Sequence, residues 1–189
     1  MKKSLLILTL LSCGNLFSQF GASSGLLHKE FSKENTEYLA KLYMAKNVMS
    51  ITDEPKTLKL DAVTAAQSGE LTCLVYDCEG AGKGLLFAFW GKRLNQSGVT
   101  YNAYDFIHIP QEKASFMLNK LDSLNNAFMD NYSSAMPQNI KESFVFKIDE
   151  FEFILSIYTM RVIWNDFDSH WRSSEMRKTK KKFEKAINQ

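Results

Sequence analysis

Cysteine, proline and glycine are scarce: the chain holds 3 Cys, 3 Pro and 9 Gly in 189 residues. So few cysteines exclude a disulfide-dense mini-protein and a cysteine-based zinc module. So little Gly and Pro excludes collagen-like and low-complexity chains. A net charge of +2 gives no global field that would draw nucleic acid. Beyond residue 25, no apolar run approaches the ~18 residues that a membrane-spanning helix needs. What is present is 45% hydrophobic and 23% charged, the make-up of one ordinary globular domain.

The first 18 residues stand apart. Lys2 and Lys3 form a positive start, Leu5 to Leu11 form a short aliphatic core, and Ser12 to Gln19 are more polar. That three-part grammar predicts a secretory signal peptide of bacterial type, cleaved after Ser18 or one residue later. A second reading takes Leu10-Leu11-Ser12-Cys13 as a lipobox, with Cys13 lipidated and anchoring the chain to a membrane. Loss of residues 1–18 removes two of the 23 basic side chains and none of the 21 acids. Residues 19–31 read as a poorly ordered lead-in, and residues 32–189 as a single domain.

Within that domain, Ser32-Lys33-Glu34-Asn35 opens a helical pattern in which Tyr38, Leu39, Leu42, Tyr43, Ala45 and Met49 recur at three- and four-residue steps. Residues 57–60 suggest a short edge strand, and 61–69 a short helix or turn. Strands are expected over 70–76, 85–90 and 99–109, joined by short loops. A helix follows Pro110, with Ala114, Met117, Leu118, Leu121, Leu124 and Phe128 as its apolar stripe. Strands are expected again over 143–148, 150–158 and 160–166, and a last helix over Asp168–Ile187. The pattern predicts an α+β fold: an antiparallel sheet of about six strands in two three-stranded meanders, with the helices packed on one face, in the order α-βββ-α-βββ-α. The helix-first α-β-β-β-α layout resembles secretion-chaperone folds, a likeness of layout that implies no function.

Several residues invite a chemical reading. Gly80-Ala81-Gly82-Lys83-Gly84 resembles a phosphate loop. Asp77 stands where the first Gly belongs, Gly84 replaces the hydroxyl, and a strand follows, so a hairpin turn is expected instead. Cys73 and Cys78 are the only thiols after the leader. Five extended residues separate them by about 16 Å, beyond disulfide reach, so no disulfide is expected. Asp166, Asp168 and His170 fall within five residues, where a strand is expected to hand over to a helix. They suggest either a metal site serving a hydrolase or a helix cap, with Asp168 or Ser169 at the N-cap. Glu150 and Glu152 are expected on one strand face, as solvated side chains or an acid/base pair. Asp105 and His108 fall on opposite faces of a regular strand and form no dyad there.

The last helix is the most polarised segment. Arg172, Arg177, Lys178, Lys180, Lys181, Lys182 and Lys185 face only Glu175 and Glu184. Trp171, Met176, Thr179, Phe183 and Ile187 give it an apolar side. It reads as a docked terminal helix whose outer face carries lysines, or as a basic arm for anionic lipid, glycan or an acidic partner. No nucleophile-elbow, metalloprotease or paired Cys/His motif occurs. The whole predicts a small exported bacterial protein of the periplasm or cell surface, binding an envelope or extracellular protein or glycan, without catalysis and without cofactor. No nucleic-acid partner is expected, and membrane contact is not favoured.

Overall fold

A computed structural model describes residues 36–66, 69–94, 97–132 and 141–189. Ser18, Cys13, the lead-in, His28 and the helix start at Ser32 lie outside the described residues. Within them, the order is α1 (Thr36–Asn47), β1 (Leu58–Ala65), β2 (Leu71–Cys78), β3 (Gly82–Leu94), β4 (Thr100–Pro110) and α2 (Gln111–Tyr132). Then follow β5 (Phe144–Ile148), β6 (Phe151–Ser156), β7 (Thr159–Trp164), β8 (Phe167–Arg172) and α3 (Ser173–Ile187). The fold is α+β, as expected, and the strands form two four-stranded antiparallel meanders, β1-β2-β3-β4 and β5-β6-β7-β8. The expected three-stranded meanders are therefore each one strand short.

Both missing strands have a physical explanation. Residues 61–69 were expected as helix or turn, yet β1 runs on to Ala65, paired from Leu58↔Cys78 to Ala65↔Thr72. A bulge between Ala62 and Thr64 breaks its alternation, so no period of two survives in the sequence. The second case is Phe167-Asp168-Ser169-His170-Trp171-Arg172, which from Asp168 onward was expected as the start of the last helix. These residues alternate buried and exposed as β8, joined to β7 by a two-residue turn with Asn165 at φ 51°. Asp168 is thus a strand residue and caps nothing; α3 starts at Ser173.

The inner faces of the two sheets meet. Phe87 and Phe89 of β3 stand 5.6 Å from Trp171 and 5.2 Å from Trp164, ring centre to ring centre. Phe151, Phe153 and Phe167 with the aliphatic Val162 complete this core, and α2 and α3 close it with Met117, Leu121, Phe128, Met176 and Phe183. Burial of several such rings supplies the main apolar driving force of the domain.

The helices were expected on one face only. The first sheet is instead covered on both. Ile107 and Ile109 of β4 belong to the inner core, whereas Phe106 and His108 point the other way and meet α1. There the Tyr43 ring lies 5.6 Å from that of Phe106, and its hydroxyl 3.3 Å from His108 Nδ1. Burial on both faces accounts for the near-continuous apolar run of β2 and β3. The second sheet turns its outer face, with Arg161, Asp168 and His170, to solvent or partial exposure.

Candidate functional site

The expected metal trio is not assembled as a metal centre. Asp166 sits in the β7–β8 turn, its side chain 80% exposed and 3.7 Å from Arg93 Nε. Asp168 accepts from Arg161 through both carboxylate oxygens, at 2.7 Å from Nε and 2.5 Å from the terminal nitrogen. This fork-on-fork pairing raises the affinity of the guanidinium for its proton, and a dication at Asp168 would meet that guanidinium. His170 shares the outer face of β8 with Asp168, but its Nε2 lies 2.5 Å from the Thr159 hydroxyl. No three His, Cys, Asp or Glu among the described residues are grouped to hold a metal ion.

The other sequence candidates are also placed. Glu150 lies in the β5–β6 turn, where its carboxylate accepts from the indole N–H of Trp164 at 3.4 Å. Glu152 is on the exposed face of β6, opposite Lys147. The two therefore do not share a strand face, contrary to expectation. Gly80 and Gly82 form the β2–β3 turn with φ of 86° and 76°, and a strand follows them. Cys73 and Cys78 are both free and buried on β2. Burial pushes the Cys73 thiol up to about 12, against hydrogen bonding with Thr64 and Thr179, so it is no nucleophile at neutral pH. Asp105 and His108 face opposite sides of β4, as their spacing requires.

His170 leads to a recess that the sequence does not reveal. A cavity of about 410 Å³ opens where β8 passes into α3. Tyr158 and Thr159 form one wall, His170 and Arg172 of β8 another, and Ser173, Ser174 and Arg177 of α3 the third. Two bonds fix its shape. Ser173 N–H donates to the Tyr158 carbonyl at 3.1 Å, strapping the β6–β7 turn to the helix. The Ser173 hydroxyl donates to Asn125 Oδ1 at 2.7 Å, tying the same turn of helix to α2. Tyr158 takes a φ of 59°, a conformation uncommon for a bulky residue, and this sets its ring at the rim, 61% exposed. Two guanidinium groups and an imidazole line the recess; the nearby carboxylates, Glu70 and Glu175, accept from the backbone N–H groups of His170 at 3.0 Å and Arg172 at 2.9 Å.

The basic helix that begins there is docked. Met176, Thr179 and Phe183 are fully buried along its inner side. Part of its charge is spent on structure. Arg177 donates to Asn126 at 2.7 Å and lies 3.4 Å from Asp122, Lys180 donates to Asp122 at 2.8 Å, and Lys182 donates to the Val63 carbonyl at 2.9 Å. Asp122 is held below the usual carboxylate range, chiefly by the hydrogen bond from Lys180. Lys178, Lys181 and Lys185 remain exposed at i, i+3 and i+7, one stripe on the outermost face. A second groove, of about 480 Å³ and lined by Asp122, Asn126, Lys180, Lys181 and Glu184, runs between α2 and α3, and Arg177 lines both hollows.

An apolar hollow of about 430 Å³ also lies at the C-terminal end of α1, lined by Ala45, Met49, Ile51, Pro55 and Leu58 with Lys41 and Lys56 near them. No helix among the described residues is long and apolar enough to cross a membrane. Comparison with protein-family models, with curated proteins and with solved structures gives no match.

Proposed function

We propose that this is an exported, non-catalytic binding protein of the periplasm or cell surface, and that it recognises an anionic group of an envelope or extracellular partner. The observation that carries this reading is the recess at the β8–α3 junction. Arg172, Arg177 and His170 line it with no carboxylate among the lining groups; Arg177 is shared with Asp122 and Asn126, so Arg172 is the cation left to a ligand, and Ser174 and Thr159 add hydroxyls. A guanidinium in a recess is the donor set that suits a carboxylate, sulfate or phosphate. Export rests on the leader and not on the fold, so it has its own test: the mature protein from its native host begins near Gln19.

The rival reading, a hydrolase working through Asp166, Asp168 and His170, is opposed by the arginine already seated on Asp168. The discriminating experiment pairs two assays on the mature protein. Titration calorimetry with galacturonate, a uronic acid monosaccharide, is expected to show binding that Arg172→Ala removes. A screen against esters, phosphates, glycans and peptides, with and without added divalent metal, is expected to show no turnover. A robust turnover, or galacturonate binding indifferent to Arg172, overturns the proposal.

A further inference from the structure

The recess does not end the exposed basic residues of α3. The groove between α2 and α3 is of mixed charge, with Asp122 and Glu184 beside Arg177, Lys180 and Lys181, but on the outermost face of the helix run Lys178, Lys181 and Lys185. None of these three lysines has an ion pair or hydrogen bond to another described residue, and all three are exposed. At about 1.5 Å per residue, Arg172 and Lys185 stand ~20 Å apart along the helix. Successive free lysines are separated by ~5 Å along the axis. A single small anion needs only the recess. Such a row of exposed cations, with Glu184 beside it as the one acid of the last two turns, fits a chain that carries negative charge at short regular intervals.

We propose that α3 and the recess at its start form one track for a linear acidic polysaccharide. This rests on the reading of the recess as an anion site and adds the class of partner. One acidic sugar sits between Arg172 and His170, and following residues of the glycan lie along Lys178, Lys181 and Lys185. Two observations favour a glycan over a membrane surface. On the apolar side of α3, Met176 and Phe183 are fully buried and Ala186 and Ile187 pack partly buried against the core, so the helix has no free apolar face to insert between lipids. The rim of the recess offers what sugars take: an exposed Tyr158 ring for stacking against a pyranose face, and the hydroxyls of Thr159 and Ser174 for its polar edges. Binding of successive charged sugars on one chain acts as multivalent attachment, so affinity rises with glycan length until the track is filled.

The test uses the mature protein and four probes: galacturonate, a long oligogalacturonate, neutral dextran, and vesicles of phosphatidylglycerol. Two variants accompany it, Arg172→Ala in the recess and the triple Lys178→Ala, Lys181→Ala, Lys185→Ala in the track. All four side chains are exposed, and unchanged circular dichroism checks that the variants fold. The expected result is oligogalacturonate binding at least about tenfold tighter than the monosaccharide, with no binding of dextran or vesicles. The triple variant should lose that gain and keep monosaccharide binding, whereas Arg172→Ala weakens both. Galacturonate binding without any gain from length overturns the track and leaves the recess. Vesicle binding without oligogalacturonate binding overturns it in favour of a membrane surface. Failure of every probe overturns the track and the recess together.

Discussion

The hydroxyl of Ser173 and the amide oxygen of Asn125 meet at 2.7 Å between α3 and α2, and both residues are buried. That bond joins residues far apart in sequence and sets the inner wall of the recess at the β8–α3 junction. Asn125→Ala should lower stability by about 1–3 kcal/mol, the cost of leaving a buried polar partner unmatched. Because the Ser173 hydroxyl borders the recess, galacturonate affinity should fall as well. Urea unfolding and calorimetry on the same variant check the two effects.

Phe183 anchors the opposite end of the same helix and is fully buried. Phe183→Ala should cost about 3–5 kcal/mol, a lost ring plus the cavity it leaves. Neutralising Lys178, Lys181 and Lys185 together should change stability far less, since exposed charges contribute little. Chemical denaturation of both variants separates the roles: one side of α3 holds the fold and the other is available for binding. A near-neutral Phe183→Ala would show that the helix is not docked in solution.

Asp122 gives the acid limb of stability a specific origin. Its carboxyl is held below the ordinary 3.8, mainly by the Lys180 hydrogen bond and further by Arg177. A depressed carboxyl stabilises the fold fully above its unfolded value, and that contribution is lost as pH falls through the lower folded value. Asp122→Asn should therefore flatten the loss of stability below about pH 4 and leave its shape near pH 7 unchanged. Thermal unfolding followed across pH reads this directly.

Gly84 lies on β3 against β2 and β4. A Cβ there would overlap the Tyr76 phenol and the backbone carbonyl of Ile109. The second of these is part of the sheet and has little room to move. Gly84→Ala should destabilise by about 1–3 kcal/mol through overpacking, whereas Gly91→Ala, which meets only the edge of the Phe167 ring at 3.3 Å, should cost less. Unfolding midpoints of the two variants rank them.

Much of this fold is legible where one element carries one period. The stripe from Ala114 to Phe128 is read correctly because α2 buries a single face. Met176, Thr179 and Phe183 are likewise recognisable as the inner side of α3. The reading fails where two periods compete. Val63 sits at a bulge, so β1 loses its alternation, and alanines on both sides favour a helical reading. In β8, the alternation Phe167, Ser169, Trp171 is present, but the polar Asn165-Asp166 and Asp168-Ser169 pairs look like a helix start. The recess is less legible still. His170 and Arg172 are adjacent to α3 in sequence, yet the walls at Tyr158 and Thr159 and the support at Asn125 arrive through tertiary packing, which local patterns do not encode.

The most direct test of the binding account is a titration of the mature protein with galacturonate, followed residue by residue in heteronuclear amide spectra. The account predicts saturable shifts concentrated at Thr159, His170, Ser173 and Ser174, absent in Arg172→Ala. Shifts centred instead on Met49 and Ile51 at the apolar hollow, or no saturable shift, would contradict it.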